Sequence, residues 1–331
     1  MSLQGLSRHW THRTALAWLL WPLSLVFRAV VFLRRAAYRI GLARATHPGI
    51  PVIVVGNLIA GGSGKTPLVL WIAEFLRAKG WSPGIVSRGY GSRDDSPRAA
   101  TIASDAAQAG DEPIVLARRS GCPVWVGPDR VRVAAALRAS HPQVDVLLLD
   151  DGLQHYRIAR DIEIAVVGSQ GFGNGFLLPA GPLREPRSRL RSVDAVVTHG
   201  AAEVEGYAMR LEGELMHRML DASDRRRAQS FAGARVHGVA GIGDPERFFR
   251  SLTAFGMQVV PHPFPDHHPF RAAELEFGDD APIVMTEKDA VKCRGFAKPN
   301  FWVLPVSAVL EARFGDWLLQ RLDALRRGKA R

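Results

Sequence analysis

The stretch GNLIAGGSGKTP (56–67) places three glycines, a serine, a lysine and a threonine within six positions, Gly61, Gly62, Ser63, Gly64, Lys65 and Thr66. It follows the apolar run PVIVVG (51–56) and opens a segment with helical spacing from Thr66 to Lys79. A strand, a glycine turn and a helix in that order form a phosphate-binding loop. Glycines let backbone N–H groups close around phosphate oxygens without side-chain interference. The helix N-terminus adds a partial positive charge. Lys65 is placed to reach the β- and γ-phosphates of ATP, and the Thr66 hydroxyl to ligate Mg²⁺. The first glycine of the usual pattern is displaced: Ile59 stands five positions before Gly64, and the glycine falls at Gly61.

Further clusters surround this loop. LLLDDG (147–152) ends an apolar run with Asp150 and Asp151, and an aspartate at a strand end suits a second Mg²⁺-binding position. Sequence alone does not separate the two as metal ligand. GDEP (110–113) puts Asp111 and Glu112 at the start of a helical stretch, where they serve either chemistry or the helix dipole. PFPDHHPF (263–270) holds Asp266, His267 and His268 between prolines, and a histidine held by an aspartate is a general-base arrangement. GPLREPRSRLR (181–191) carries four arginines that could grip phosphate or form a solvated turn. SRGYGSR (87–93) follows a strand, at the edge where ligands bind in open α/β sheets.

The elements that must position these residues alternate. Strand-like runs at 51–56, 84–87, 124–127, 144–150, 162–167 and 193–199 are separated by helical stretches, one of them running from Asp129 to Ser140. Such alternation implies a parallel sheet covered on both faces. Residues 201–234 are polar and rich in charge, which predicts a linker or edge ribbon. A second alternation follows: strands at 235–241, 283–286 and 301–306, helices at Pro245–Phe255 and from Glu287, and an amphipathic helix over 309–327. The expected organisation is an N-terminal segment (1–45), a nucleotide-binding domain (46–200), the ribbon (201–234) and a smaller α/β domain that includes the C-terminal helix (235–331).

With 331 residues the chain is long enough for two domains, and 47% hydrophobic with 23% charged residues marks a folded protein. Cys122 and Cys293 fit neither a disulfide framework nor a metal site. The net charge of +11 is uneven: seven arginines and no Asp, Glu or Lys lie in the first 48 residues, and the first acidic residue is Glu74. No nucleic-acid-binding module is legible, and the charge instead flanks an apolar segment. ALAWLLWPLSLVF (15–27) is too short to cross a bilayer in a helix, and reading on through Arg28 reaches borderline length. Pro22 is expected to kink that helix or start a new one. Trp10, Trp18 and Trp21 suit a membrane interface, and arginines follow where a signal peptide would have a cleavage site. A helix lying in an anionic leaflet accounts best for these features, with a helix packed on the protein or a true span as alternatives.

In order, GNLIAGGSGKTP, SRGYGSR, GDEP, VGPDR, LLDDGLQH, LLPAGPLREP, FPDHH and TEKDAVK make the chain resemble the tetraacyldisaccharide 4′-kinases of Gram-negative bacteria over essentially its whole length. Leu153 stands where that pattern leads us to expect an aromatic residue. The resemblance implies a P-loop NTPase-like α/β/α sandwich, a second, smaller α/β domain linked by a short strand pair, and an N-terminal membrane-associating helix. It implies transfer of a phosphoryl group from ATP, with Mg²⁺, to the 4′-hydroxyl of an acylated glucosamine disaccharide 1-phosphate at the cytoplasmic face of the inner membrane. By motif, Asp111 acts with His267 on the acceptor hydroxyl, and Asp150 and Asp151 serve Mg²⁺ and phosphate positioning. Arg184, Glu185, Arg130 and Gln154 lie near the phosphates or sugar, Arg184 being the best placed to stabilise the transferring group, and Arg88 contacts the acceptor lipid. The rival reading is a nucleotide switch or partitioning-type ATPase, which needs no acceptor site.

Overall fold

The computed structural model describes residues 9–89, 95–200 and 204–329. Residues 90–93 of SRGYGSR, the opening of the charged ribbon at 201–203, residues 1–8 and the last two residues lie outside them.

Two sheets organise the chain. The larger has nine strands, β1 (Val52–Gly56), β2 (Pro83–Ser87), β3 (Arg98–Ala100), β4 (Val124–Val126), β5 (Val146–Asp150), β6 (Ile162–Val167), β7 (Ala195–Thr198), β8 (Tyr207–Glu212) and β15 (Ser307–Leu310), in the order β15-β8-β7-β6-β1-β5-β2-β4-β3. All strands from β8 to β4 are parallel, and β15 and β3 pair antiparallel at the two edges. Its inner strands are apolar on both faces because helices cover both: β1 and β5 are buried throughout. One core joins the sheet to α2 (Lys65–Ala78) and α4 (Asp111–Ser120), and a second, on the other face, includes α5 (Arg130–Ser140). Asp129 caps α5 by accepting a hydrogen bond from Val131 N at 3.0 Å. The short helix α3 (Ala106–Ala109) leads into α4 through Gly110.

The smaller sheet has the order β10-β9-β14-β13-β11-β12, built from β9 (Leu215–Arg218), β10 (Arg225–Arg227), β11 (Arg235–Ala240), β12 (Gln258–Pro263), β13 (Ile283–Thr286) and β14 (Phe301–Leu304). Its faces bury two further cores, one under α6 (Pro245–Ala254), the other including Ala290 and Cys293 of α7 (Glu287–Cys293). Strand β12 is absent from the sequence reading because Pro261 and Pro263 lie within it. It pairs only with β11, and an edge strand tolerates prolines.

Three expectations are corrected. The ribbon over 201–234 divides: β8 joins the large sheet, and β9 and β10 join the small one. The C-terminal helix α8 (Ala312–Lys329) does not belong with the small sheet. The chain returns through Pro305 to β15, and α8 lays Phe314, Leu318 and Leu322 on the large-sheet core. Trp71 and Phe75 of α2 stack at 4.9 Å beneath it, and Gly315 permits the approach, since a Cβ there would sit 2.8 Å from the Phe75 ring. Finally, Pro22 does not start a new helix: it lies inside α1, which runs as one element from Ala15 to Arg39, a length of about 37 Å.

Helix α1 is anchored along one side only. Ser24 Oγ donates to Leu177 O at 2.8 Å and accepts from Ala180 N at 3.1 Å, while Trp18 packs edge-on against Phe176 at 5.0 Å. Leu19, Leu23, Val26, Val30 and Leu33 are exposed, Leu19 by 75%. Among the described residues α1 is the one helix long and apolar enough to cross a membrane.

Candidate active site

The phosphate loop leaves β1 and ends at Gly64, whose φ of 81° caps α2 in the left-handed region. A Cβ at Gly64 would also lie 2.9 Å from the His199 ring, so glycine is required twice over. Asn57 Nδ2 braces the loop by donating to Gly61 O at 3.2 Å. Because β1 pairs with β5 in the register Val55↔Asp150, the strand-end aspartates arrive beside the loop.

Asp150 is buried, and Ser87 Oγ donates to its Oδ2 at 3.3 Å, while Oδ1 has no hydrogen-bond partner among the described residues. Burial, with the Glu112 and Asp151 charges adding to it, pushes its carboxyl up to about 7 against the pull of Lys65 and Arg130. A buried carboxylate oxygen without a partner among the described residues, on a residue that lines the same cavity as Thr66, fits a hard cation. Mg²⁺ typically takes one or two carboxylates plus phosphate oxygens rather than an all-protein cage, and among the described residues no cluster of three His, Cys, Asp or Glu side chains forms one. Asp151 is different. Its φ of 50° is rare for a non-glycine residue and turns its side chain to meet Lys65 Nζ at 3.6 Å and Arg184 Nη1 at 2.9 Å. Burial opposes its ionisation, but Lys65 and Arg184 outweigh it and hold the carboxyl at about 2.

The GDEP segment lines the same cavity. Asp111 opens α4 and is only 5% exposed; its Oδ1 accepts from Glu112 N at 2.9 Å. Its Oδ2 lies 3.1 Å from His267 Nδ1, a partner 156 positions away on the loop after β12. His267 also has a left-handed φ, 61°. Burial works against the Asp111 charge, yet the His267 hydrogen bond and the Lys288 and Lys292 charges hold its carboxyl below the usual range. The same bond, opposed by burial, raises the imidazole.

One cavity of about 700 Å³ is lined by Gly61–Thr66, Arg88, Asp111, Asp150, Asp151, Arg184 and His267, which brings most of the expected residues together. Arg130, Gln154 and Glu185 are not on its wall. Arg130 is buried and donates to Gly127 O at 3.0 Å, Gln154 Nε2 donates to Asn57 O at 3.0 Å, and Glu185 pairs with Arg189 at 3.2 Å and accepts from the Tyr156 hydroxyl. They brace the loops that carry the site. His268 also turns away, to Glu274 at 3.1 Å. Lys288 is a wall residue that the sequence reading left without a role, although it lies in TEKDAVK; it reaches Asp266 at 3.0 Å and Glu112 at 3.2 Å. Gly243 is another, with a Cβ position 2.9 Å from Gly62 N.

A phosphate loop and paired aspartates that share one cavity with a carboxylate–imidazole pair define a P-loop nucleotide-binding α/β protein. A family model described as tetraacyldisaccharide-1-P 4′-kinase matches residues 16–323. The tetraacyldisaccharide 4′-kinase of Azoarcus sp. (strain BH72) is 50% identical over 322 residues, covering 95% of this chain and 94% of its own. That of Alkalilimnicola ehrlichii is 52% identical over 307 residues, covering 92% and 90%. The crystal structure of "apo" form LpxK from Aquifex aeolicus in complex with ATP superposes with a TM-score of 0.79 at 27% identity, covering 93% of this chain and 99% of that one. The chain belongs to the tetraacyldisaccharide 4′-kinase family.

Proposed function

We propose that this protein transfers the γ-phosphoryl group of ATP to the 4′-hydroxyl of an acylated glucosamine disaccharide 1-phosphate, as its family name implies. The observation that carries this reading is the Asp111–His267 pair, 3.1 Å apart, lining the same cavity as Lys65 and Asp151. In the proposed reaction the phosphate loop amides and Lys65 hold the β- and γ-phosphates, and Arg184 stabilises charge on the transferring group. Thr66 and Asp150 would hold Mg²⁺, which when bound would supply positive charge against the phosphates. Asp111, ionised at neutral pH, orients the acceptor hydroxyl. The sugar oxygen bonds to the γ-phosphorus, the bond to the β–γ bridging oxygen breaks, ADP leaves with that electron pair, and the hydroxyl proton passes to Asp111. His267 donates from Nδ1 to Asp111 Oδ2 and holds the carboxylate in place.

The functional units in this proposal are the phosphate-loop domain, completed by β15 and α8, and the smaller α/β domain. The chain passes between the sheets at Gly213–Glu214 and again at Pro305–Val306. Movement about these crossings would close the cavity, excluding water and limiting wasteful ATP hydrolysis. An acylated acceptor stays in the bilayer, since each buried CH₂ contributes about 0.8 kcal/mol. The exposed apolar face of α1 supports attachment to an anionic leaflet, and we place the enzyme at the cytoplasmic face of the inner membrane. The loop that anchors α1 continues to Arg184, whose N–H donates to Leu58 O at 2.7 Å, so the membrane helix and the phosphate loop share one support.

A nucleotide switch would leave the Asp111–His267 pair without a task. ATP turnover measured with and without the detergent-solubilised acceptor separates the readings. Turnover that depends on acceptor supports the kinase; equal turnover without it would favour the switch.

A further inference from the structure

The segment TEKDAVK (286–292) carries two lysines one helical turn apart, and neither has a part in the transfer described above. Both reach the Asp111–His267 pair. Lys292 Nζ lies 3.7 Å from Asp111 Oδ2 and 2.9 Å from Asp289 Oδ1. Asp289 is itself fixed by Thr286 Oγ1 at 2.7 Å and Gly241 N at 3.0 Å, so Lys292 is held on the Asp111 side. Lys288 Nζ lies 3.0 Å from Asp266 Oδ1, 3.2 Å from Glu112 Oε1 and 3.4 Å from His267 Nε2.

An ammonium group has three N–H donors and no lone pair. The three atoms around Lys288 match those donors one for one. Facing an ammonium, His267 Nε2 must present its lone pair. A neutral imidazole then carries its proton on Nδ1, the atom that faces Asp111 Oδ2. Among the described residues, the charged groups that face the Asp111–His267 pair and its Lys288 contact come from three elements: Asp111 and Glu112 on α4, Asp266 on the loop after β12, and Lys288 and Lys292 on α7. Asp111 and Asp266 favour a second ring proton; burial and the Lys288 charge oppose it.

We propose that Lys288 is a positioning residue for phosphoryl transfer: its ammonium fixes His267 as the Nδ1–H tautomer, so that the imidazole donates to Asp111 and does not receive the acceptor's proton at Nε2. The same side chain ties α4 to α7 through Glu112. The consequence for turnover rests on the kinase reading above; the tautomer itself does not. Without Lys288, the Nε2 edge lies 3.9 Å from Asp266 and loses the ammonium charge that opposes its protonation.

The test is a long-range ¹H–¹⁵N spectrum of the full chain in detergent at pH 8, with ¹⁵N-labelled histidine. His267 is assigned by the signals lost in His267→Ala. The expected spectrum shows a protonated Nδ1 and an unprotonated Nε2. Lys288→Met should add protonated Nε2 and lower kcat by about tenfold to a hundredfold, leaving the KM for ATP unchanged. Lys288→Arg, which also offers only donors, should keep the wild-type tautomer. A protonated Nε2 in the neutral wild-type ring, or ring signals unmoved in a folded Lys288→Met, would overturn the proposal. If Lys288→Met does not fold, the wild-type and Lys288→Arg spectra decide: Nε2 unprotonated in both supports it, and a protonated Nε2 in either refutes it. The expected tautomer in a protein that transfers no phosphate would remove the kinase reading and leave the tautomer assignment standing.

Discussion

Replacing Asp150 by asparagine should stabilise the ligand-free protein while abolishing its activity. Burial and the neighbouring Glu112 and Asp151 charges raise the Asp150 carboxyl from 3.8 to about 7. A displacement of that size corresponds to about 4 kcal/mol of unfavourable charging. The sign follows from proton binding. Between these two values the folded chain holds a proton that the unfolded chain has lost, so stability falls as pH rises. The contribution is fully present below pH 3.8 and is lost as pH passes through about 7. Asparagine carries no charge and escapes this penalty, which is already net of the attraction to Lys65 and Arg130, but it sets an amide N–H₂ where Asp150 Oδ1 has no hydrogen-bond partner among the described residues, at a cost of about 1–3 kcal/mol. The net gain at pH 8 should be about 1–2 kcal/mol, or about 2–4 °C in Tm for each kcal/mol. Thermal melts of both proteins from pH 5.5 to 8.5 should show the variant's advantage growing with pH. Saturating ATP·Mg²⁺ should reverse the order, because only the wild type gains binding energy. A variant less stable than wild type at pH 8 without nucleotide would refute this reasoning.

Three further outcomes are expected. Asp111→Asn and His267→Ala should each lower kcat by about 10²–10⁴-fold with the KM for ATP intact, as measured by steady-state kinetics; near-normal turnover in either would break the pair's assigned role. Gly243→Ala sets a Cβ 2.9 Å from Gly62 N and should raise the KM for ATP several-fold, about 1 kcal/mol, without changing the circular dichroism spectrum. Leu19→Glu with Val26→Glu, both exposed on α1, should reduce co-flotation with anionic vesicles and raise the KM for the lipid acceptor while sparing the KM for ATP; unchanged flotation would mean that α1 serves the protein alone.

Local signals were the most legible. Strand β1, the glycine loop and α2 are contiguous, so residue order alone places Lys65 and Thr66. The apolar runs of β5 and β6 match their burial closely, because both faces of an inner parallel strand are covered. Long-range pairing was not legible from residue types. Asp111 at a helix start reads equally well as dipole complementarity, and only the family resemblance joined it to His267. Alternating strands and helices do not say which sheet the last helix covers, and the pairing of β15 with β8 decides that for α8. Lys288 was passed over because a lysine in the first turn of a helix ordinarily points to solvent. Its burial appears only once α4 and α7 are packed, with Arg119 and Glu287 joined at 2.8 Å beside it.

The most direct test is transfer of labelled γ-phosphate from ATP to a detergent-solubilised tetraacyl disaccharide 1-phosphate, with Lys65→Ala as the control. The account predicts label on the 4′ position of the lipid, absent in the variant. ATP hydrolysis without a labelled lipid would contradict it.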